Sequence, residues 1–315
     1  MSTKPRVPET LFEFQSWFAT EEACESYLFD WRWPDGFSCP RCGHKSATKL
    51  ANRRQYQCCG CKYQVSVTAG TAMHKTKLSL RKWFWAMFLV ARHKKSISAL
   101  QLQRDLGIGS YRTAWLLLQK IRHCFSEKAE YPLRGLVEVD ETLIGAKGRC
   151  KPGKDPGNKA IVVAAVALGE RKNRGHRWSD VRAQRVADYS GASLSTFVFD
   201  NVRPGACILT DGWSGYNAVA KDYRLNRIVS SAMTVAQMRS KNPMPHVHLF
   251  FANLKTWLSG RFHGVSQKYL PRYLDEHIYR LNRRHSSSDI FGWVVRRLMN
   301  GSPRTLHQVT AEPST

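Results

Sequence analysis

The sequence predicts an α/β protein in which a cysteine-rich ribbon and a helical segment precede a strand-rich segment that ends in helices. Three observations predict this order. Two Cys-x-x-Cys pairs lie within residues 39–61, apolar residues recur at helical spacing over residues 80–121, and strand-like alternation begins after Gly135. We place the boundaries at 10–70 for a short helix plus ribbon, 71–130 for the helical segment, 131–300 for the strand-rich domain and 301–315 for a frayed tail.

The ribbon carries two cysteine pairs, each enclosing two residues, with fifteen residues between the pairs: Cys39, Cys42, Cys58 and Cys61. Four thiolates spaced in this way are typical of a tetrahedral zinc site, and coincidental cysteines in a basic segment are the alternative. Gly43 and Gly60 lie where the two knuckles need tight turns. Cys59 is ambiguous, and because Cys59-Gly-Cys61 is too short for a knuckle we assign Cys58 as the ligand. Four thiolates leave no open position for water, so we expect a structural zinc.

Further cysteines are scattered along the chain and are expected to be ordinary thiols: Cys24, Cys124, Cys150 and Cys207. No apolar run reaches the ~18 residues that a membrane span needs. The first residues, MSTKPRVPETLFEF, lack the apolar core of a signal peptide. These features predict a cytoplasmic protein.

The charge of the chain indicates its partner. Lys and Arg number 49 against 24 Asp and Glu, which gives a net charge of +25. No acidic residue occurs between Asp35 and Asp105, where 14 Lys or Arg are found. Such a block repels itself unless a polyanion screens it, so we expect nucleic acid as the partner and the nucleoid as the location. A merely soluble basic surface or adhesion to an anionic membrane is the alternative.

The helical segment contains one strongly apolar helix and two shorter helices. Six residues define the buried face of the first: Leu80, Trp83, Phe84, Met87, Phe88 and Ala91. Ser98 with Gln101 forms a capping-box pattern, Gly107 breaks the next helix, and Ser110 caps another through Ile121. Two helices joined by a short glycine-containing turn predict a helix-turn-helix, with a plain helical hairpin as the alternative.

The strand-rich domain begins with LVEVDETLIG, which alternates and then becomes apolar. AIVVAAVAL over 160–168 predicts a second strand, SDVRAQRVAD a weaker third, and ACILTDG over 206–212 a short buried strand. A helix is expected from Ser193, and apolar residues at helical spacing predict another over 270–281. The glycine- and lysine-rich loop between the first two strands is expected to be mobile and to face phosphate.

Two aspartates carry the predicted chemistry of this domain. Asp140 lies in the first strand, with Glu138 on the same side because strand side chains alternate. Asp211 ends the short apolar strand before Gly212. Two carboxylates on neighbouring buried strands repel each other, and a divalent cation such as Mg²⁺ resolves that conflict. The alternative is that both are ordinary turn or helix-capping acids.

Several motifs in one order carry a family resemblance: WPDGFSCPRCG, YQCCGCKYQVSVTAGT, VEVDETLIGAKG, DGWSGY, HLFFANLKTWLSGRFHGVS and YLDEHIYRLNRR. Over roughly residues 18 to 285 the chain resembles bacterial insertion-sequence transposases that join a zinc ribbon to a DDE domain of RNase H-like fold. The group it resembles is the ISXO2-like one, with its DD[E/N/H]K catalytic pattern. The resemblance implies that Asp140 and Asp211 are the first and second catalytic aspartates.

The third catalytic position departs from a standard DDE pattern. His248 stands seven residues before Lys255, where many relatives place Glu. The resemblance includes a subgroup with Asn or His there, so His248 is expected to bind metal or orient water. Mg²⁺ prefers oxygen, so the histidine favours Mn²⁺ or an inactive copy. A histidine packed near Phe250 and Trp257 is the alternative, and Asn253 and Glu276 stay open as ligands.

Basic and aromatic residues near these positions predict contacts with DNA. Lys255 lies two helical turns beyond His248, and the resemblance implies that it reaches phosphate; a solvated charge is the alternative. A basic helix end is suited to backbone contacts: Arg280, Arg283 and Arg284, with Asn282. Trp213 and Tyr216 are suited either to stacking on an unpaired base or to core packing.

The resemblance implies a transposase that cuts DNA at element ends and transfers strands into target DNA, with structural Zn²⁺ and catalytic Mg²⁺ or Mn²⁺. Double-stranded DNA is the expected partner, and bringing two ends together predicts a homodimer or larger assembly. No P-loop pattern is present, so no nucleotide cofactor is expected. Two alternatives stay open: a catalytically dead DNA-binding regulator, and an RNase H-like nuclease without strand transfer.

Overall fold

The structure, a computed structural model, describes residues 5–51, 53–93, 95–126, 131–145, 159–170, 176–228, 242–284 and 290–311. The chain divides into two compact units. The first comprises Met1–Phe125 and Ser286–Glu312, and the second comprises Ser126–His285 and Pro313–Thr315. The loop expected to face phosphate falls at 146–158, outside the described residues. Within the part described, no helix is long and apolar enough to cross a membrane.

The first unit begins with α1 (Leu11–Trp17) and α2 (Glu21–Arg32). The side chain of Thr20 accepts a hydrogen bond from the Ala23 amide and caps α2. Three short antiparallel strands follow and form the ribbon: β1 (Ala47–Lys49), β2 (Tyr56–Cys58) and β3 (Gln64–Val65). Strands of two or three residues bury little apolar area, so a ribbon of this kind depends on its metal site.

Three helices follow the ribbon: α3 (Leu80–Arg92), α4 (Ala99–Asp105) and α5 (Tyr111–His123). All six residues of the expected apolar face of α3 are buried. The Ser98 hydroxyl accepts from the Gln101 amide and caps α4, and Gly107 takes a positive φ of 54° in the turn after it. Ser110 occupies the N-cap position of α5 without a side-chain capping bond. The described geometry is two helices joined by a five-residue turn, as the sequence indicates.

The last two helices of the described residues belong to the first unit: α9 (Ile290–Asn300) and α10 (Leu306–Ala311). Phe291 of α9 lies among the aromatic rings of Phe14 and Phe84, and the Ala72 amide donates to the Leu298 carbonyl. The second compact unit therefore ends before α9, whereas the sequence boundary of the strand-rich domain was set at 300. α10, with Val309 buried, lies within residues 301–315, which the sequence predicts as a frayed tail.

The second unit is built on a five-stranded sheet: β4 (Leu136–Gly145), β5 (Lys159–Glu170), β6 (His176–Val186), β7 (Cys207–Asp211) and β8 (Arg224–Ile228). The order across the sheet is β6-β5-β4-β7-β8. β4, β5 and β6 pair antiparallel, whereas β7 pairs parallel with β4 and β8 pairs parallel with β7. This mixed sheet with flanking helices is the RNase H-like fold that the sequence predicts.

Helices cover both faces of this sheet. α6 (Gly191–Asn201) and a 3₁₀ helix (Ser214–Lys221) cover one face, and α7 (Pro245–Phe262) with α8 (Leu270–Asn282) covers the other. β5 is apolar from Ala160 to Leu168, and residues 160–167 are buried because helices cover both faces of the sheet there. Val137 and Val139 of β4 pack towards α6. Glu138 and Asp140 alternate with these valines and lie opposite Val166 and Ala164 of β5, which belong to the hydrophobic core beneath α7. Their side chains therefore face α7.

Candidate active site and zinc ribbon

Four cysteine thiols of the ribbon converge on one point: Cys39, Cys42, Cys58 and Cys61. The Sγ atoms of Cys39 and Cys61 are 3.7 Å apart, and those of Cys42 and Cys58 are 3.6 Å apart. A tetrahedral zinc with Zn–S bonds of about 2.3 Å places its sulfurs about 3.8 Å from one another. The donor set and its dimensions therefore fit zinc. Four thiolates would complete the coordination of such an ion.

The two knuckles use different residues for the same turn. Gly43 has φ 74° and donates its amide to the Cys39 carbonyl, and Lys62 has φ 61° and donates to the Cys58 carbonyl. The expectation that Gly60 supplies the second turn is wrong, because the positive φ falls on Lys62. Gly60 instead provides space: a Cβ there would lie 3.2 Å from the ring of His44. The φ of a lysine in this conformation could not be foreseen from its residue type.

The ambiguous cysteine lies outside the metal cluster. The Sγ of Cys59 lies 3.4 Å from the Ser46 hydroxyl and 3.8 Å from the Thr48 hydroxyl, which agrees with the choice of Cys58 as the ligand. Burial raises the pKa of Cys24 and of Cys124 to about 12, as expected of inert thiols. Cys150 lies outside the described residues.

A second cluster consists of carboxylates in the RNase H-like unit. Ligand oxygens of Asp140, Glu141 and Asp211 all lie within 4.8 Å of one another. The parallel pairing of β4 with β7 aligns Glu138 with Leu209, and two residues further along each strand stand Asp140 and Asp211. The sheet therefore brings the two aspartates close together, as the sequence predicts. Carboxylate oxygens are the donors that Mg²⁺ and Mn²⁺ prefer, so this group fits a divalent cation.

Glu141 is the member of this cluster that sequence reasoning missed. Strand alternation points it away from Asp140, towards the α6 face. There its Oε2 accepts a 2.6 Å hydrogen bond from the hydroxyl of Tyr216. Tyr216 is fully buried on the 3₁₀ helix that follows Asp211. The signal in the sequence is weak: an acid stands next to Asp140 in VEVDET, but strand alternation argues against a shared site.

The electrostatics of the cluster favour a cation. Burial raises the pKa of the Glu141 carboxyl to about 7; the Tyr216 hydrogen bond opposes that rise and the charges of Asp140 and Asp211 add to it. Burial also raises the pKa of Asp211, opposed by the Trp213 amide and assisted by Asp140. Carboxylates whose ionisation is mutually costly are stabilised by a divalent ion between them.

His248 contacts the cluster through one aspartate. Its Nε2 lies 3.2 Å from Oδ2 of Asp140 and its Nδ1 lies 2.9 Å from Oδ1 of Asn242. The hydrogen bond to Asp140 is the main cause of its raised pKa. His248 does not belong to the group of ligand atoms that lie within 4.8 Å of one another.

The structure distinguishes between the alternatives that the sequence left open for the third catalytic position. The packing alternative for His248 is wrong: the ring beside Phe250 and Trp257, at 5.9 Å and 4.8 Å between centroids, is that of His277. The Glu276 carboxylate is fully buried and bonded to Arg280, outside the carboxylate group. Asn253 is exposed on α7 and also lies outside that group.

Lys255 contacts the same strand as His248. Its Nζ donates to the hydroxyl of Thr142 at 2.6 Å. Burial lowers its pKa, as does the nearby Lys159, while Asp140 opposes both. Because Thr142 is two residues beyond Asp140, α7 presents its basic groups to successive residues of one face of β4. Lys255 and His248 therefore lie on the same side of α7, as their seven-residue spacing predicts.

The remaining aromatic and basic residues have partners within the fold. Tyr216 is core, so the stacking role suggested for it is wrong; Trp213 is 42% exposed and its indole donates to the Tyr189 carbonyl. Arg280 pairs with Glu276. The remaining two predicted DNA contacts are half-buried, with Arg283 over the Tyr279 ring and Arg284 bonded to the Trp178 carbonyl. Contact between these arginines and DNA stays a prediction.

Comparisons with known proteins agree with this architecture. Residues 132–282 match a family described as "ISXO2-like transposase domain", and residues 19–64 match one described as "Transposase zinc-ribbon domain". A protein of Halobacterium salinarum, described as "Uncharacterized protein in transposable element ISH50", is 30% identical over 222 residues, which cover 67% of this chain and 74% of that protein. No solved structure matches. The chain belongs to the family of ISXO2-like transposases that carry a zinc ribbon.

Proposed function

We propose that this protein catalyses metal-dependent cleavage of DNA at the ends of a mobile element and transfer of those ends into target DNA. The observation that carries the proposal is the carboxylate group of Asp140, Glu141 and Asp211, whose oxygens lie within 4.8 Å of one another. The group lies in the segment that matches a transposase domain. Half-buried acids placed together on neighbouring strands are a costly arrangement unless a cation binds there.

Asp140 and Asp211 are proposed as ligands of catalytic Mg²⁺ or Mn²⁺, with Glu141 as the third carboxylate. When bound, the cations supply activation of the attacking oxygen and neutralisation of charge at phosphorus. Tyr216 holds Glu141 in place. His248 is proposed to complete the site from α7, either on the metal or by orienting Asp140, and Lys255 to bind a DNA phosphate.

The proposed reaction is two successive in-line phosphoryl transfers. In the first, a water oxygen attacks phosphorus at the element end, the P–O3′ bond breaks, and the element retains a free 3′-hydroxyl. In the second, this hydroxyl attacks a phosphodiester of the target, a new P–O3′ bond forms, and the 3′ oxygen of the target strand leaves. No covalent intermediate between protein and DNA is involved.

The first unit is proposed to recognise DNA through its ribbon and its α4–α5 pair. Four consecutive residues at the start of α5 are exposed: Ser110, Tyr111, Arg112 and Thr113. In a helix-turn-helix these positions face the major groove. We propose that the protein acts as a dimer or larger assembly, because two element ends must be held together, and that it works in the cytoplasm at the nucleoid.

A second candidate function is supported by one contact. α7 presents to Asp140 a histidine nitrogen, 3.2 Å from Oδ2, where a standard DDE pattern has a carboxylate. Because Mg²⁺ prefers oxygen ligands, a chain that cannot hold the catalytic cation there would bind element ends without cutting them and would act as a regulator. An RNase H-like nuclease that cuts without joining is the remaining alternative.

A strand-transfer assay separates these functions. Purified full-length protein is incubated with labelled duplexes that carry the terminal sequences flanking this reading frame, a target plasmid, and either Mg²⁺ or Mn²⁺. We expect cut ends and joined donor–target products. Cleavage without joining would favour the nuclease, and binding without cleavage in either metal would favour the regulator.

A further inference from the structure

Glu138 is a buried carboxylate for which the proposed chemistry has no direct use. Its side chain is 2% exposed and lies on the α7 face of β4, two residues before Asp140. Burial of a lone carboxylate is costly, so its partners indicate what it does.

Both oxygens of Glu138 are used by the first turn of α7. Oε2 accepts the backbone amides of His246 at 2.9 Å and Val247 at 2.8 Å, and Oε1 lies 2.8 Å from Nδ1 of His246. A negative charge at this end of a helix is favoured by the helix dipole. The carboxylate therefore binds the helix start through three contacts.

The helix has no side-chain cap of its own. Met244 is the N-cap residue and makes no side-chain capping bond, and Pro245 at the first position has no amide hydrogen. The next two amides are donors that lack a partner within the helix. Glu138, from a strand more than a hundred residues earlier, satisfies both.

This contact sets the register between α7 and β4. Along one face of the strand, Glu138 binds the first turn of α7, Asp140 meets His248, and Thr142 meets Lys255. Among these three pairs only the Glu138 contact is buried, since the side chain of His248 is 43% exposed and Lys255 is also exposed. An exposed pair is easily exchanged for water, whereas a buried carboxylate with three partners is not.

We propose that Glu138 is a positioning residue that holds His248 against Asp140 by capping α7 from β4. The proposal rests on the proposed function, because the aspartate that it serves is a proposed metal ligand. Displacing a reacting group by about 1 Å can cost a hundred-fold in rate, so loss of the cap is expected to act on the chemical step.

A variant series tests this role by single-turnover cleavage of element-end duplex already bound to the protein, in Mn²⁺. Glu138→Ala is expected to slow cleavage by at least roughly thirty-fold while the Kd for the duplex stays within about three-fold. Glu138→Asp keeps the charge but is one methylene shorter, and is expected to slow cleavage as well. Glu138→Gln retains an acceptor for both amides and is expected to stay within about three-fold of the unaltered protein.

A double-mutant cycle separates positioning of His248 from a general loss of structure. In a His248→Ala background, Glu138→Ala is expected to slow cleavage by no more than about three-fold further. Equal losses with and without His248 would overturn the proposal. Glu276→Ala is the matched control, since it also removes a buried carboxylate of this unit; its effect is expected to be the same in both backgrounds.

A readout without activity distinguishes failure of this proposal from failure of the proposed function. Hydrogen exchange of the peptide over residues 245–251 is measured on the full chain. Glu138→Ala is expected to increase exchange there, and Glu276→Ala is expected to leave it unchanged. If the unaltered protein cuts no DNA, the proposed function fails, and unchanged exchange in Glu138→Ala would overturn the cap independently.

Discussion

The two candidate metal sites of this protein are built in opposite ways. The ribbon gathers four thiols from two local turns that lie fifteen residues apart in sequence. The RNase H-like unit gathers three carboxylates from strands that are about seventy residues apart, and a helix more than thirty residues further on adds His248. A zinc ion in the ribbon would have all its positions filled by protein, whereas a cation on three carboxylates would retain positions for water and phosphate.

This difference separates stability from catalysis. A metal enclosed by four thiolates contributes folding free energy to a ribbon with very short strands. A cation held on one side leaves its other side to the substrate. Burial raises the pKa of the Glu141 carboxyl to about 7, so ionisation of this carboxyl is costly to the folded protein unless a cation compensates it. Loss of the ribbon site should therefore destabilise the fold, and loss of the carboxylate site should abolish the proposed cleavage.

The largest effect is expected at the two aspartates. Asp140→Ala or Asp211→Ala should lower cleavage at least roughly a thousand-fold, because each removes a proposed metal ligand, while duplex binding stays within about three-fold. Gel-shift and cleavage assays on the same samples measure both quantities. Asp222→Ala, an exposed acid of the same unit outside the cluster, is the control and should retain activity. Activity in both aspartate variants would contradict their assignment.

The neighbouring cysteines of the ribbon provide the matching test of the first site. Cys58→Ser should lose zinc and unfold the ribbon, because structural zinc contributes on the order of 10 kcal/mol to such a fold. Cys59→Ser should retain the full zinc content, since its thiol points to Ser46 and Thr48. Metal analysis and thermal unfolding check the pair. Equal zinc loss in both variants would show that the knuckle has been assigned to the wrong cysteine.

Glu141 is expected to show opposite effects on stability and metal binding. Its pKa in the folded protein is about 7, above the ordinary value of 4.5, so its contribution to stability is full below 4.5 and is lost as pH rises through 7. Glu141→Gln should therefore raise the Tm of metal-free protein at pH 8 relative to the unaltered protein, and should remove that part of the pH dependence. The same variant should weaken Mn²⁺ binding at least roughly ten-fold. A variant with unchanged Mn²⁺ affinity would remove Glu141 from the site.

The smallest effects are expected where α7 meets Thr142. Lys255→Met should lower single-turnover cleavage by about ten-fold, because a charge-assisted contact to phosphate is lost. Thr142→Val removes only the hydroxyl that holds the lysine and should cost about three-fold or less. If the two substitutions had equal effects, the lysine would act only through Thr142 and not on DNA.

Local features of this chain could be predicted from its sequence, whereas features that depend on distant contacts could not. The zinc ligands follow from spacing, and the buried face of α3 follows from periodicity. Glu141 could not be assigned to the cluster from the sequence, because alternation points it away from Asp140 and the Tyr216 hydroxyl that it bonds is 75 residues away. Similarly, nothing in the sequence near Glu138 shows that its partners are amides of a helix about 108 residues later.

The boundary of the second unit is a further example. α9 follows the RNase H-like segment directly in sequence, and its apolar face has no local feature that assigns it to either unit. In the structure Phe291 completes an aromatic cluster with Phe14 and Phe84. Which core such a helix joins depends on complementarity with residues more than two hundred positions away, and periodicity carries no information about that.

Electron paramagnetic resonance of Mn²⁺ added to zinc-loaded protein tests most directly that the carboxylate cluster is the catalytic metal site. We expect a signal of protein-bound Mn²⁺ from the unaltered protein. Asp140→Ala and Asp211→Ala should lose the signal of bound Mn²⁺, while the zinc content of both variants remains that of the unaltered protein. Mn²⁺ binding that survives both substitutions would contradict the assignment of the metal site to Asp140, Glu141 and Asp211.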